Sequence, residues 1–338
     1  MRVWVALSGG VDSAVAAALA LDQGAEVLGV TLDLGIDASV IPAAGAVASS
    51  LGIDHVVVDV AGEFEREVIG PFVRAYAAGV TPNPCVVCNE QIKFGLLLEA
   101  ARRGGADRLV TGHYARIVDT PGGPRVARAL DPGKDQSYFL YRVDQGALAL
   151  IDFPLGSMTK REVRARATAL GIPSADRPDS QDVCFLVGCS AGMFVAARAP
   201  EACTPGPILD TQGREIGLHR GLCHYTVGQR KGLPGGAGPL FVTEVDLRRN
   251  ALVVGAREAC ETRRVIVEEV VWPTEGPGVV SVCVRAGCSP VRATVVRSGS
   301  RLELILDEPV CAAPGQAAVC YDGDTVIGGG TIVREHRR

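Results

Sequence analysis

A glycine-rich turn near the start of the chain is the feature that most constrains its fold. The apolar run Val3–Val5 leads into Ser-Gly-Gly-Val-Asp-Ser at residues 8–13, and apolar residues then recur every three or four positions up to Leu19. Gly9 and Gly10 permit a sharp bend and a close approach of the backbone to a ligand. Because the first amides of a helix have no partner within it, they bind phosphate with help from the helix dipole. The pattern predicts a strand, a phosphate-binding turn and a helix.

The turn resembles the PP-loop of ATP pyrophosphatases, which split ATP into AMP and pyrophosphate. It lacks the Gly-Lys-Ser/Thr of a Walker A loop and the spaced glycines of a dinucleotide-binding fingerprint. The alternative is a tight turn in which Asp12 and Ser13 only cap the helix. The resemblance implies ATP, accompanied by Mg²⁺, and says little about the second substrate.

Composition and charge restrict the class of protein further. The 338 residues suffice for two or three domains, and 47% hydrophobic with 21% charged residues is typical of a globular protein with a large core. No apolar run is long enough to span a bilayer, and the first strand leads into the nucleotide turn, so we expect a cytoplasmic protein without a signal peptide. The net charge of −4 does not favour a nucleic-acid partner. Local basic clusters, such as Lys160–Arg166 and Arg230–Lys231, nevertheless allow phosphate contacts.

The order of the elements predicts the fold class. Predicted strands and helices alternate as far as Thr111, which favours an α/β fold with a doubly wound parallel sheet whose ligands bind at the carboxyl ends of the strands. A capping box, Thr159 with Glu162, predicts the start of a helix that ends near Leu170. After about residue 200, short apolar runs separated by Gly and Pro indicate a β-barrel or a β-sandwich. We predict a PP-loop (HUP-like) domain over 1–194, a small central domain over 195–256 and a C-terminal β-barrel over 257–338.

Three of the 11 cysteines are candidates for chemistry. Cys85 and Cys88 form a Cys-x-x-Cys pair, and Cys88 is predicted to begin the helix Gln91–Arg103, where a thiolate would be stabilised. Cys184 lies among polar residues at the edge of an apolar run. Three such thiols suit either a persulfide relay or an iron–sulfur site. In a reducing compartment we expect the following cysteines to be buried small hydrophobic residues: Cys203, Cys223, Cys260, Cys283, Cys311 and Cys320.

At this point the chain resembles a known family along nearly its whole length, the tRNA-specific 2-thiouridylases, which replace the C2 oxygen of the wobble uridine with sulfur. The resemblance is carried, in order, by Ser-Gly-Gly-Val-Asp-Ser (8–13), Thr-Pro-Asn-Pro-x-x-x-Cys-Asn (81–89), Ile-Lys-Phe (92–94), Thr-Gly-His-Tyr-Ala (111–115), Lys-Asp-Gln-Ser-Tyr-Phe-Leu (134–140), Ser-Gln-Asp-Val-Cys-Phe (180–185), Thr-Val-Gly-Gln-Arg-Lys-Gly-Leu (226–233), Asp-Glu-Pro-Val (307–310), Pro-Gly-Gln (314–316) and Gly-Gly-Gly (328–330). This family has a PP-loop domain, a small central domain and a C-terminal β-barrel.

The resemblance implies a role for each matching position. Cys88 matches the nucleophile and Cys184 the cysteine that carries the incoming persulfide. ATP would be bound by Ala6, Leu7, Ser8, Gly9, Gly10, Val11, Asp12, Ser13, Leu32 and Gly112. The flipped target base would be surrounded by Asn83, Pro84 and Cys85, and tRNA would be contacted by Lys134, Asp135, Gln136 and Arg285.

Three positions depart from the family pattern. Relatives usually carry Asp, thought to aid proton transfer, where this chain has Cys85. The stretch from Leu34 to Ser39 is short where relatives often have a longer acidic loop. Arg285 is followed by Ala286 and not by the usual aromatic residue.

The resemblance implies ATP-dependent 2-thiolation of tRNA by a tRNA-uridine sulfurtransferase. AMP transfer to the C2 oxygen of a flipped uridine would create a leaving group, and sulfur from a Cys184 persulfide would replace it. A Cys88–Cys184 disulfide would remain, for a reductant to reopen. The expected partners are tRNA and a persulfide sulfur-donor protein. Members of the family mostly act as monomers, and no membrane association is expected.

Other functions stay open at this stage. Cys85, Cys88 and Cys184 could instead hold an iron–sulfur cluster that carries the sulfide. A PP-loop amidotransferase acting on a small molecule is an alternative of another class, although nothing in the chain resembles a glutaminase. A tRNA-binding or metal-binding module with a decayed ATP site is a third, disfavoured by the intact 8–13 turn.

Overall fold

The structure is a computed structural model that describes residues 1–173, 175, 183–235 and 238–334. The chain divides into two compact units. The first unit comprises Met1–Val68, Cys85–Phe185 and Gly323–Val326, and the second comprises Ile69–Pro84, Leu186–Asp322 and Ile327–Arg338. The three predicted domains are a finer division than these units, and their boundaries stay a prediction.

The first unit is built around a five-stranded parallel sheet, as the sequence predicts. Its strands are β1 (Arg2–Ala6), β2 (Glu26–Asp33), β3 (Asp54–Asp59), β4 (Arg108–Val110) and β7 (Ile151–Asp152). Between β4 and β7 the chain forms a hairpin of β5 (Arg116–Thr120) and β6 (Gly123–Ala127). The spatial order is β3-β2-β1-β4-β7, and each neighbouring pair is parallel. The chain order reverses between β1 and β4, which is where ligands bind in open sheets of this kind.

Helices connect these strands. The α-helices are α1 (Val11–Asp22), α2 (Val40–Leu51), α3 (Ala61–Phe64), α4 (Gly70–Ala77), α5 (Pro84–Val87), α6 (Leu98–Arg103), α7 (Gln145–Leu148), α8 (Lys160–Ala169) and α9 (Ala191–Arg198). Two π-helical segments, Glu65–Ile69 and Cys88–Leu97, lie between α3 and α4 and between α5 and α6. Short 3₁₀ turns cover Ser137–Leu140, Pro154–Ser157, Pro200–Cys203, Leu222–His224 and Arg257–Ala259.

The core of the first unit surrounds α1, whose side chains are nearly all small and buried. Ala14, Ala16 and Ala17 have no exposed surface, so α1 lies between the sheet and α8 without a polar face of its own. The predicted capping box at Thr159 and Glu162 is confirmed, because each residue's side chain bonds the other's backbone N–H. This box fixes the residue at which α8 begins.

The second unit contains two β structures. A four-stranded sheet consists of β8 (Gly206–Leu209), β9 (Glu215–His219), β10 (Phe241–Asp246) and β11 (Ala251–Gly255), in the order β10-β11-β8-β9. An antiparallel barrel consists of β12 (Glu261–Val271), β13 (Val279–Cys283), β14 (Val291–Ser298), β15 (Arg301–Cys311), β16 (Ala317–Asp322) and β17 (Thr325–Ile332). Its order is β12-β15-β14-β13-β16-β17, and pairing of β12 with β17 closes it, which confirms the predicted β-barrel.

Four cysteines expected to be lone buried residues are instead paired. Disulfides join Cys203 to Cys223 and Cys260 to Cys311, with Cα–Cα distances of 5.8 and 5.4 Å. Apolar flanks and a reducing compartment suggested unpaired thiols, but those signals do not report which chain segments meet. The register places Cys311 opposite Glu261, beside Cys260, and the β8–β9 hairpin returns the chain from Cys203 to Cys223. Cys283 and Cys320 are buried and form no disulfide, as expected.

Candidate functional site

The turn after β1 has the geometry of a cradle for phosphate. Gly9 has φ of +71°, and a Cβ there would come within 2.6 Å of Ala43, so only glycine fits. Gly10 is the N-cap of α1 and has no side chain that could accept from the first amides of the helix. These amides are therefore available to a ligand. Ser13 Oγ donates to the carbonyl oxygen of Gly10 at 3.0 Å and accepts from the N–H of Ser8 at 3.1 Å. The turn is therefore held in shape by its own serines.

The side chain of Lys160 is buried beside the N-terminal end of α1. Lys160 Nζ lies 2.6 Å from the Asp12 carboxylate, and the Tyr114 hydroxyl donates to the same oxygen at 2.8 Å. Lys160 is the first residue of α8, so the capping box at Thr159 decides where this ammonium group lies. Sequence analysis assigned Lys160 only to a basic cluster and gave Tyr114 no role. The position of Lys160 directly after a capping box was the available signal, but contact with Asp12 requires the fold.

The predicted nucleotide residues converge on one edge of the sheet. A Cβ on Gly112, which follows β4, would lie 2.8 Å from the backbone nitrogen of Ser13, so the two turns are in contact. Leu32 is half-buried near the end of β2. Ala6 ends β1, and the turns after β1 and β4 flank the point where the strand order reverses. The structure thus brings the predicted residues of both turns together.

Cys85 and Cys88 lie on a helix that begins earlier than the sequence predicts. Helix α5 starts at Pro84, where proline is favoured because its fixed φ suits a helix and no N–H is left unpaired. Cys88 consequently lies one helical turn after the start of the helical segment, and it is buried. The prediction that a helix N-terminus stabilises its thiolate is therefore wrong. Desolvation raises the pKa of both thiols, and the positive charge of Lys93 offsets part of that rise.

Lys93 connects the thiols with the edge of the sheet. Its Nζ lies 3.4 Å from Nε2 of His113, and His113 Nδ1 lies 2.7 Å from Thr111 Oγ1. Burial first, and then the Lys93 charge, holds the pKa of His113 well below its ordinary value, so this imidazole is neutral at pH 7. Because His113 directly follows Gly112, Lys93 links the cysteine helix to the glycine turns. The Ile-Lys-Phe block at 92–94 was noticed in the sequence, but this role was not.

Cys184 belongs to the same group of thiols. It is exposed, and its neighbour Phe185 is buried edge-to-face against Phe64, with 6.0 Å between the ring centroids. Desolvation raises the pKa of Cys184 to about 11, with charges on Cys88 and Cys85 raising it and Lys93 lowering it. Because the charges of Cys85, Cys88 and Lys93 all act on Cys184, these four side chains share one region of the first unit. Residues 180–182 of the cysteine motif lie outside the described residues.

The predicted tRNA-binding turn is fixed by its own hydrogen bonds. The Asp135 carboxylate accepts from the N–H of Ala129 and from both the N–H and the hydroxyl of Ser137, at 3.0–3.1 Å. Gln136 Oε1 accepts from the Tyr114 N–H at 2.9 Å. Asp135 and Gln136 therefore shape the turn that carries Lys134, and contact with tRNA stays a prediction for all three. In the second unit, Arg285 is exposed just after β13, and Asn83 and Pro84 lie directly before Cys85 in the chain.

The fold and the matched family models define the class of protein first. Residues 1–188 match the family described as tRNA methyl transferase HUP domain. Residues 192–256 match tRNA methyl transferase PRC-barrel domain, and residues 262–332 match Aminomethyltransferase beta-barrel domain. The chain is thus of a tRNA-modifying class with a HUP domain and a β-barrel.

Similarity to characterised relatives gives the particular family. The chain is 47% identical to the tRNA-specific 2-thiouridylase MnmA of Chloroflexus aurantiacus, over 98% of both chains. It is 43% identical to that of Roseiflexus castenholzii, over 99% of this chain and 100% of the relative, and 44% identical to that of Heliobacterium modesticaldum, over 98% and 92%. The chain belongs to the tRNA-specific 2-thiouridylase family, whose activity is thiolation of the wobble uridine of tRNA. Among the described residues, no helix combines the length and apolarity needed to cross a bilayer.

Proposed function

We propose that this enzyme thiolates the wobble uridine by ATP-dependent activation of C2 followed by sulfur transfer through Cys184 and Cys88. The observation that carries the proposal is the continuous path from the thiols to the phosphate cradle. Lys93 acts on all three thiols, contacts His113, and His113 adjoins the Gly112 turn that packs on α1. Activation and sulfur transfer can therefore occur at one site in the first unit.

ATP fits the cradle by shape and charge. The open amides at the start of α1 and the hydroxyls of Ser8 and Ser13 are donors for phosphate oxygens. Lys160 adds a cation that the Asp12 carboxylate holds in place, and the Tyr114 hydroxyl donates to the same carboxylate oxygen. Mg²⁺ enters with ATP as the cation on its phosphates. In this proposal these groups bind the pyrophosphate that leaves when AMP is transferred to the C2 oxygen.

The proposed sulfur-transfer steps require only two cysteines of this chain, a persulfide donor and a thiol reductant. A donor persulfide passes its outer sulfur to the Cys184 thiolate, which yields a Cys184 persulfide and a donor thiolate. The Cys88 thiolate attacks the inner sulfur of that persulfide, so hydrosulfide leaves and a Cys88–Cys184 disulfide forms. Hydrosulfide adds to C2 and expels AMP, and a thiol reductant then reopens the disulfide. Lys93 favours the thiolate form that each step requires.

The remaining predicted residues are assigned to tRNA. Asn83, Pro84 and Cys85 surround the flipped uridine, and Lys134 contacts the phosphate backbone from the turn shaped by Asp135 and Gln136. Arg285 contacts the anticodon arm. The partners are tRNA and a persulfide-bearing sulfur-donor protein, and the enzyme acts as a monomer.

A second mechanism is favoured by one observation, the cysteine at position 85. Charges on Cys85 and Cys88 act on Cys184, so three thiols share the site where relatives usually have two. An iron–sulfur cluster held by these three cysteines could carry the sulfide. Iron and labile sulfide analysis of anaerobically purified enzyme separates this mechanism from the relay.

The products of ATP cleavage test the proposed activation step. We expect AMP and pyrophosphate, formed productively only when unmodified tRNA is present. Asp12→Ala and Ser13→Ala should each lose most of the activity, because they remove Lys160's anchor and a cradle hydroxyl. Arg161→Ala, which changes the exposed neighbour of Lys160, is the matched control and should retain activity. Release of ADP and phosphate would overturn the assignment of the turn.

A further inference from the structure

A second cluster of metal-ligating side chains lies in the second unit, among Cys203, Cys223 and His224. One sulfur from each cysteine and one ring nitrogen of the histidine all lie within 4.8 Å of one another. Within the part of the chain that the structure describes, this is the only such group of three. None of these residues has a role in the proposed sulfur transfer, whose cysteines belong to the first unit.

An unpartnered nitrogen points to a ligand at this cluster. His224 Nδ1 is fully buried and has no hydrogen-bond partner in the described structure, which is unusual because buried polar atoms are nearly always paired. The backbone of α9 presses against this ring, since a Cβ on Gly192 would lie 2.2 Å from His224 Nδ1. Cys223 Sγ lies 3.8 Å from the carbonyl oxygen of the same glycine. The orphaned nitrogen and the Cys223 sulfur thus both lie against Gly192.

We propose that, when the Cys203–Cys223 disulfide is reduced, Cys203, Cys223 and His224 bind a zinc ion. Ligands of tetrahedral zinc at about 2.3 Å for sulfur and 2.0–2.1 Å for nitrogen lie roughly 3.6–3.8 Å from each other. The two sulfurs, bonded in this structure, must therefore separate after reduction, while the histidine nitrogen already lies within 4.8 Å of both. Two thiolates neutralise the ion, so the nearby Arg220 guanidinium, which acts on His224, meets no net positive charge. Water or a further side chain would supply the fourth ligand.

Zinc binding and the disulfide exclude each other, because both use the same two sulfurs. A dithiol reductant gives two electrons and two protons to the Cys203–Cys223 bond and becomes a disulfide itself. Zinc then displaces both thiol protons and joins the ends of the two 3₁₀ turns that the disulfide joins in this structure. The same local geometry is therefore held in either redox state.

Cobalt and zinc binding to the full-length enzyme test this inference. Enzyme reduced with a phosphine and freed of metal should bind one zinc at this cluster, and Co²⁺ should give thiolate-to-cobalt charge-transfer absorption. Enzyme with the Cys203–Cys223 disulfide intact should lose that absorption. Cys203→Ser and His224→Ala should each lower zinc affinity by at least tenfold, whereas Cys260→Ser, at the other disulfide, is the matched control and should not.

The catalytic thiols need a separate control. Cys85→Ser and Cys184→Ser should leave the cobalt absorption in place if the metal is at the proposed cluster. Absence of bound metal in reduced wild-type enzyme, which requires no variant to fold, would overturn the proposal. Loss of the absorption in Cys184→Ser with retention in Cys203→Ser would overturn it equally, by placing the metal among the thiols of the first unit.

Discussion

Lys93 is the residue on which the reactivity of the thiols depends most. Burial raises the pKa of Cys88 above its ordinary value, so little thiolate is present at pH 7 and more forms as the pH rises. Lys93 lowers that pKa, and Lys93→Met should therefore raise it further. We expect slower alkylation of Cys88 at pH values below the pKa, because a higher pKa leaves a smaller thiolate fraction. The measurement is the rate of iodoacetamide modification against pH.

The matched control for Lys93 is Arg103→Met, which removes an exposed cation from the end of the same helical stretch. Its alkylation profile should coincide with that of the wild type. An unchanged profile in Lys93→Met would show that Lys93 does not act on the thiols.

Lys160 should matter for catalysis and not for tRNA binding. Its ammonium group lies 2.6 Å from Asp12 at the phosphate cradle, and an oriented charge of this kind is worth on the order of 100-fold in turnover. Lys160→Met should lower kcat by about that factor, while tRNA affinity stays at the wild-type level. Arg161→Met, at the exposed neighbouring position, should change neither quantity. Equal loss of tRNA affinity would instead give Lys160 a purely structural role.

At the scale of elements, the capping box of α8 should stabilise the folded state to an extent that depends on pH. Thr159→Ala should lower the free energy of unfolding by about 1 kcal/mol, because a helix N-cap is lost. Hydrogen bonds from Thr159 lower the pKa of Glu162. The Glu162 carboxylate therefore stabilises the folded state at pH values above its ordinary pKa, and this stabilisation disappears as the pH falls through the lowered pKa. Urea unfolding should thus show a smaller effect in acid than at pH 7. Thr168→Ala, an exposed threonine of the same helix, is the control.

The disulfide between β12 and β15 should stabilise the barrel substantially. Cys260 and Cys311 close a loop with a sequence separation of 51, for which chain entropy gives about 4 kcal/mol. The double variant Cys260→Ser with Cys311→Ser should unfold at a correspondingly lower denaturant concentration. Reduction of the wild type should reproduce that loss at the barrel. A double variant as stable as oxidised wild type would show that the bond contributes nothing.

Elements with strong local signals could be predicted from the sequence, and elements that depend on partners could not. The parallel sheet and the capping box follow from apolar periodicity and local side-chain chemistry. The strands β5 to β9 are short or carry few apolar residues, so their pairing becomes visible only in the fold. The helical segment that holds Cys88 begins at Pro84, earlier than the sequence predicts.

The candidate site was predictable to the same extent. The glycine turn and the three cysteines have sequence motifs, and the structure brings them to connected places in the first unit. Lys93 and Tyr114 lie in matched sequence blocks and Lys160 lies in a basic cluster, but their roles could not be predicted, because they depend on contacts over 20 to 148 residues of sequence. The disulfide partners were missed for the same reason.

At the scale of the whole molecule, tRNA binding should depend on salt despite the net charge of −4. Phosphate contacts release counterions, so affinity should fall linearly with the logarithm of salt concentration. Lys134→Ala should weaken tRNA binding and reduce the slope by about 1, while ATP binding is unchanged. Arg102→Ala, an exposed cation on α6, is the matched control. Equal loss of ATP and tRNA binding would show that Lys134 supports the fold.

Single-turnover thiolation of transcript tRNA by iron-free enzyme, with ATP and a persulfide donor, tests the central claim most directly. The persulfide relay predicts activity in the wild type and in Cys85→Asp, and none in Cys88→Ser or Cys184→Ser, although both serine variants still bind tRNA. The reason is that a serine hydroxyl can neither carry a persulfide nor resolve one. Activity that requires bound iron and is lost with Cys85 would contradict the relay, and an active Cys184→Ser enzyme would contradict both mechanisms.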